Sequence, residues 1–110
     1  MNYTDQLEQE WIRSLICEAE RDLVFLCHIT TSSFGGPTYA KDELPLAIGR
    51  VSGSLIKSGC TVGFGNPDDK TWQPEADLIN AEDPGAEIAA RWLSDPEQVE
   101  FLVFARRHGC

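Results

Sequence analysis

The sequence has 110 residues, 42% of them apolar, and 18 acids against nine Lys and Arg, a net charge of -9. That length makes a single domain, 1–110, with apolar material for one core. The charge argues against unaided binding to nucleic acid or an anionic membrane, since both reward dense Lys and Arg, and it favours a basic partner.

The residue order predicts a mainly helical α+β domain. A first helix is expected over Asp5 to Glu20, where Asp5 and Glu8 fit a reciprocal D-x-x-E cap. Leu7, Trp11, Leu15 and Ala19 recur every four residues, with Ile12 and Ile16 beside them. This is one apolar stripe at helical period, and Glu8, Glu10, Arg13, Glu18 and Glu20 fall on the other faces. Residues 22–34 are too densely apolar for a clear period. Ile29-Thr30-Thr31 suggests a strand; Asp22, as a cap, suggests a short buried helix, which is the preferred reading. Gly35-Gly36-Pro37 ends that element.

A third helix is predicted from Asp42 to Ser58. Asp42 is its N-cap, Pro45 lies in its first turn, and Gly59 takes the C′ position. Leu44, Ile48, Val51, Leu55 and Ile56 form its apolar stripe. Gly49 and Gly53, four apart, either admit another helix at close range or are merely tolerated. Cys60–Gly65 reads as a short strand, with Val62 and Phe64 alternating with small or polar residues. From Asn66 to Asp83 the chain is turn-rich and acidic. Asp83-Pro84 opens a fourth helix carrying Ile88, Ala89, Trp92 and Leu93 on one side, which stops near Asp95-Pro96. Val99 to Arg107 is apolar on both faces and reads as a buried strand, returning to water at Arg106-Arg107-His108. Three helices, a short strand, a helix and a strand, with the strands paired in a small antiparallel sheet, make a winged-helix-like arrangement.

Signals for membrane, metal or catalysis are weak. No run approaches the ~20 apolar residues of a spanning helix, and Met1–Asp5 lacks the regions of a secretory signal, so a cytoplasmic location is expected. Cys17, Cys27, Cys60 and Cys110 show no C-x-x-C spacing and read as two or three buried thiols, with Cys110 mobile at the terminus. His28 sits in an apolar segment and reads as a partly buried histidine satisfied by backbone. Gly63-Phe64-Gly65 lacks the third glycine of a dinucleotide loop and reads as a strand ending in a turn. The acidic stretch lacks the D-x-D-x-D-G order of a calcium loop. No catalytic residue, metal or cofactor is expected, and the chain is read as a non-enzyme. A small hydrolytic enzyme is the weakest alternative.

The charge layout is more informative. Residues 66–100 hold ten acids and two bases, net -8, whereas residues 41–65 are slightly basic. Asp68, Asp69, Glu75, Asp77, Glu82, Asp83 and Glu87 are therefore candidate partner-binding residues. Trp72 joins them as an aromatic anchor. A DNA reader would carry Lys and Arg along its third helix, but only Arg50 and Lys57 lie in the body of that element.

Several local patterns occur in series. They are Asp22-Leu23-Val24-Phe25-Leu26, Leu55-Ile56-Lys57-Ser58-Gly59, Val62-Gly63-Phe64-Gly65 and Trp72-Gln73-Pro74. Ile88, Trp92 and the Phe-Leu-Val-Phe-Ala-Arg-Arg run over residues 101–107 follow. The series resembles small acidic bacterial proteins, among them immunity proteins of polymorphic-toxin and contact-dependent inhibition systems. That resemblance implies a cytoplasmic, antitoxin-like binder of a cognate basic protein toxin, and it transfers no specific functional residue. A degenerate winged-helix regulator, or a self-associating protein that forms a homodimer, is the alternative.

Overall fold

The computed structural model describes residues 3–106. Helix α1 (Tyr3–Arg21) buries Trp11, Leu15 and Ala19 of the four-residue recurrence, and Ile12 beside them, while Leu7 is half-buried. It opens at Tyr3, so Asp5 does not stand at the cap position expected of it. Asp5 lies inside the first turn, and Glu8 faces the core at 4% exposure instead of water.

Residues 22–34 hold a short helix, as preferred, but Phe25 and not Asp22 stands at its cap position, and the strand lies before it and not at Ile29-Thr30-Thr31. Val24–Phe25 is a strand, β1, and Leu26–Thr30 is a one-turn helix, α2. The first N–H groups of a helix lack intrahelical partners. Here the neighbouring chain supplies them: Leu26 N–H donates to the Leu102 carbonyl at 2.8 Å and Cys27 N–H to that of Glu100 at 3.0 Å. His28 reaches back so that its Nδ1 accepts from Phe25 N–H at 3.0 Å. The histidine is half-buried and held by backbone, as its setting in the sequence suggests.

Helix α3 (Leu44–Lys57) is preceded by Glu43, not Asp42, at its cap position, and Glu43 makes no side-chain cap bond. Pro45 does lie in the first turn. The far end matches the reading of Gly59. Gly59 has φ +103°, its N–H donates to Ile56, and Cys60 N–H donates to Leu55, both at 3.0 Å. That pair of bonds closes the helix and turns the chain into β2 (Thr61–Phe64).

The segment expected to be only turns carries two further elements, β3 (Gln73–Pro74) and helix α4 (Ala76–Ile79). Proline cannot donate to a ladder, so it suits an outer strand, and β3 is one. Gly63 pairs with Pro74 and Phe64 with Gln73. Helix α5 (Pro84–Ser94) begins where Asp83-Pro84 predicts, and the Asp83 carboxylate accepts from Ala86 N–H at 3.2 Å. Asp95-Pro96 then ends α5 and starts another turn of helix, α6 (Pro96–Val99). The last strand is accordingly shorter than expected. Val103–Ala105 forms β4, buried throughout; Val99 belongs to α6, and Phe101 is exposed. Arg107, His108 and Cys110 lie outside the described residues.

The sheet is antiparallel with order β1-β4-β2-β3. Phe104 at its centre is fully buried beside Val24 and Val62, its cross-strand partners. Helix α1 packs on β1, β4 and α3, and α2 on α3. The fold is α+β, mostly helical, with one small antiparallel sheet. Its outer strands are short of donors for further pairing: the N–H of Phe25 is taken by His28, and Pro74 has none.

On its other side α3 meets α5 at glycines. Gly49 and Gly53 both face Gly85, so the spacing of small residues does admit a helix at close range. Among the described residues one core group is unmatched: Ser52, on α3, is fully buried and its Oγ has no hydrogen-bond partner. Removing an unsatisfied hydroxyl removes its desolvation cost, and alanine is also the better helix former. Ser52→Ala is therefore expected to raise stability by about 1 kcal/mol, read as a higher denaturation midpoint at unchanged slope. A loss of similar size would show that Oγ has a partner after all.

Candidate partner-binding surface

The loop between β2 and β3 is built by its own polar side chains. Gly65, at φ +88°, packs against Thr71 so closely that a Cβ could not be added. Asn66 Oδ1 accepts from Asp68 N–H at 2.9 Å, and Thr71 Oγ1 accepts from Asn66 N–H at 2.9 Å. Asp69 Oδ1 accepts from the Thr71 hydroxyl and backbone N–H, and these bonds hold its carboxyl below the ordinary carboxylate range. Such Asx and Thr bonds are the usual substitutes for ladder bonds in turns. Trp72, half-buried, lies over the sheet: a Cβ on Gly63 would sit 2.9 Å from its ring.

The remaining predicted residues divide among the neighbouring elements. Glu75 is half-buried and paired with Arg91 of α5 at 3.3 Å. Asp77 is exposed on α4, and Glu87 is exposed in the first turn of α5. Glu82 and Asp83 line a groove of about 650 Å³ that is bounded on its other walls by α1 and α3. Six of the seven predicted carboxylates are exposed; Glu75 is the exception. Asp69 and Asp83 also have structural work, one in the loop and one at the α5 cap.

The groove contains a cluster absent from the sequence reading. Glu8, 5% exposed at its side chain, accepts from Tyr39 Oη at 3.1 Å and from Arg50 Nε at 3.2 Å through each oxygen. Burial, followed by the Glu8 charge and hydrogen bond, pushes the Tyr39 phenol well above its ordinary value. For Arg50, burial opposes its charge, but the bond and charge of Glu8 outweigh it and raise its value. A buried carboxylate is tolerable only when paired in this way. The arrangement joins α1, the segment before α3, and α3. A signal for it existed: Glu8 stands four, seven and eleven residues before Ile12, Leu15 and Ala19, in the inward stripe itself.

A second exposed feature is a row of rings. Phe101, 61% exposed, meets Phe25 at 6.4 Å; Phe25 meets His28 at 5.5 Å; His28 meets Phe34 at 5.1 Å, all edge to face. Ser32 and Phe34 hold φ of 56° and 66°, a region that costs a bulky residue about 1–3 kcal/mol unless its surroundings enforce it.

Among the described residues no group of three or more His, Cys, Asp or Glu side chains is placed to hold a metal ion. No helix among them is long and apolar enough to cross a membrane. Cys17, Cys27 and Cys60 are free thiols, respectively exposed, half-buried and buried, so among the described residues Cys60 alone of the two or three expected is buried. Burial pushes Cys60 up to about 11, and the smaller lowering by Arg106 does not reverse it. A raised value favours the folded state below the ordinary thiol range, and that contribution disappears as pH rises through about 11. Because the thiolate is the reactive form, iodoacetamide at neutral pH should modify Cys17 first and leave Cys60 until the chain unfolds. Peptide mass spectrometry reads the order; equal rates would contradict the burial of Cys60.

No protein-family model matches this chain, and neither a curated protein nor a solved structure is significantly similar to it.

Proposed function

We propose that the chain is a non-enzymatic, cytoplasmic protein-binding module, an immunity-type protein that neutralises a basic bacterial toxin through the acidic surface of residues 66–87. The observation that carries this reading is the exposure of Asp68, Asp69, Asp77, Glu82, Asp83 and Glu87 within one short segment. Solvated carboxylates there raise the encounter rate with a positively charged protein and disfavour acidic competitors. A toxin that cuts or binds nucleic acid has the basic surface such a face would cover. A standard interface takes about 800 Å² from each partner, well within the 6538 Å² this chain exposes.

The test uses the toxin encoded beside the gene and the rate of association measured by stopped flow. Reversing Asp68, Asp77, Glu82 and Glu87 to Lys spares the loop-forming Asp69 and the capping Asp83. The variant should associate about tenfold more slowly at low salt, and the difference should shrink as salt is added. An unchanged rate overturns the acidic-face reading, and absence of binding by the parent chain overturns the immunity reading.

A degenerate winged-helix regulator is the second reading. Its support is the order of α1, α2 and α3 before the β2–β3 hairpin. Against a DNA-reading role, α5 covers one side of α3 and Arg50 is engaged by Glu8. Tight duplex binding at physiological salt would favour this second reading over the first.

A further inference from the structure

The exposed rings form one continuous face. Phe101 is 61% exposed and Phe34 47% exposed, and the half-buried Phe25 and His28 join them. His28 sets a polar atom in the middle of this face. Its Nδ1 accepts from Phe25 N–H, so the ring proton is carried by Nε2. Nε2 has no hydrogen-bond partner among the described residues, and it is open to solvent, since the Ser52 hydroxyl is the one unpartnered side-chain group among them that is enclosed. At its Phe34 end the row meets a hollow of about 470 Å³ walled by α1, where Arg13 and Arg21 outnumber Glu18. Glu18 pairs with Arg21 at 2.7 Å, which leaves Arg13 exposed and without a partner among the described residues.

The shapes a peptide can bring differ in what they offer that free donor. A helix spends its carbonyls on its own N–H groups and has none in its body for Nε2–H. An added strand needs ladder donors, but β1 has two residues and its Phe25 N–H is taken by His28. A polyproline II segment makes no internal hydrogen bonds, so each of its carbonyls is free to accept. Two of its residues advance about 6 Å, and successive rings of the row are 6.4, 5.5 and 5.1 Å apart. Its prolines pack on aromatic faces at small ordering cost, because the segment is extended before it binds. A second copy of the chain would instead bring folded helices, strands and a further charge of -9. Phe34 takes the left-handed φ of 66° that a bulky residue avoids, and the result is a ring set against His28 yet open to solvent. We propose that the row from Phe34 to Phe101 docks a proline-rich segment of another protein in the polyproline II conformation. One carbonyl of the segment accepts from His28 Nε2–H, and an acidic residue of the segment lies beside Arg13.

Heteronuclear NMR of the full chain, titrated with synthetic peptides, tests this. The probes are an end-blocked oligoproline, the same peptide with Asp at both ends, and a Gly-Ser peptide of equal length with Asp at both ends. Both oligoprolines should shift the resonances of Phe25, His28, Phe34 and Phe101 and protect the Nε2 proton from exchange with water; the Gly-Ser peptide should not. Phe34→Ala and Phe101→Ala should each weaken binding about tenfold, the usual scale for an aromatic anchor. Both rings are exposed, and Phe101 lies outside the 31–37 loop, so at least that variant keeps the parent spectrum elsewhere. The Asp-ended oligoproline should bind about threefold more tightly than the blocked one, and Arg13→Glu should abolish that gain while leaving the blocked peptide's affinity unchanged. No shift at these rings with millimolar oligoproline overturns the proposal. So does equal binding of the Gly-Ser peptide, or an affinity that neither alanine substitution lowers. Shifts at the same rings that grow with protein concentration alone would give the face to a second copy and overturn it as well. No residue of this face lies within 66–87 and no toxin enters the titration, so this proposal and the acidic-face reading fail separately.

Discussion

Gly85→Ala is expected to destabilise the fold by about 3 kcal/mol, at the upper end of overpacking costs, while Gly49→Ala and Gly53→Ala are tolerated. The difference lies in what each added methyl would meet. At Gly85 it would run into the carbonyl oxygen and carbon of Gly49 and lie 3.2 Å from the backbone nitrogen of Gly53. Those are main-chain atoms inside a helix, with no rotamer to change. The only relief is to move α5 away from α3, which loosens the contacts of Ile88 and Ile48 in the core. Methyls at Gly49 and Gly53 would instead meet Gly85 atoms at 3.5 and 3.7 Å, ordinary contact distances. Each of these substitutions also gains about 1 kcal/mol of helix propensity, which offsets small misfits. Chemical denaturation of the three variants reads the comparison. Equal losses at all three positions, or none at Gly85, would show that the helices are not in contact where the structure puts them.

Trp11→Ala should cost about 4 kcal/mol, within the range for deleting a large buried aromatic. The indole is 2% exposed and does more than fill the core. Its Nε1–H donates to the Ser33 carbonyl at 2.7 Å, and its ring lies against Gly36, where a Cβ would fall within 2.7 Å of three ring carbons. Tyr39, whose hydroxyl donates to Glu8, is 6.4 Å from it between ring centroids. Trp11 thus fastens residues 33–39 onto α1. Without it the left-handed backbone of Ser32 and Phe34 is held only by the loop's own bonds, such as Ser32 Oγ to the Pro37 carbonyl and Gly36 N–H to that of Ser32, and by the His28–Phe34 ring contact, and the loop opens more readily. Limited proteolysis should cut Trp11→Ala between residues 31 and 39 much faster than the parent chain. Trp11→Phe retains most of the burial and loses the hydrogen bond, so its cost should be about 1–2 kcal/mol. If the alanine variant resisted cleavage as the parent does, Trp11 would not be what holds the loop.

The long elements were legible because one period dominates each of them. The stripe of α1, the Pro45 start and Gly59 stop of α3, and the Asp83-Pro84 start of α5 are local signals that tertiary packing leaves alone. The two-residue strands were not legible, because a strand that short has no periodicity. Val24–Phe25 becomes β1 through pairing with Val103 and Phe104, some 80 residues away in the chain. Asp95-Pro96 was readable as a stop but not as the next start, since proline at a first helical position signals both. The acidic candidates could be found by counting charge. Their division between loop, cap, ion pair and open surface depends on Thr71, Ala86 and Arg91, none of which charge counting weighs. Glu8 was misplaced because charged residues default to solvent. Its partners Tyr39 and Arg50 stand 31 and 42 positions away.

His28 and Pro74 give the molecule a property beyond their places at the two ends of the sheet. The ordinary route from a small sheet to a fibre is edge-to-edge growth, in which one folded chain templates the next. An imidazole occupies the donor at one rim and a pyrrolidine ring removes the donor at the other. Each rim of the folded chain is therefore a poorer template for a further strand. Two rings thus oppose edge-to-edge growth alongside the net charge, by withholding donors that a templated strand would use.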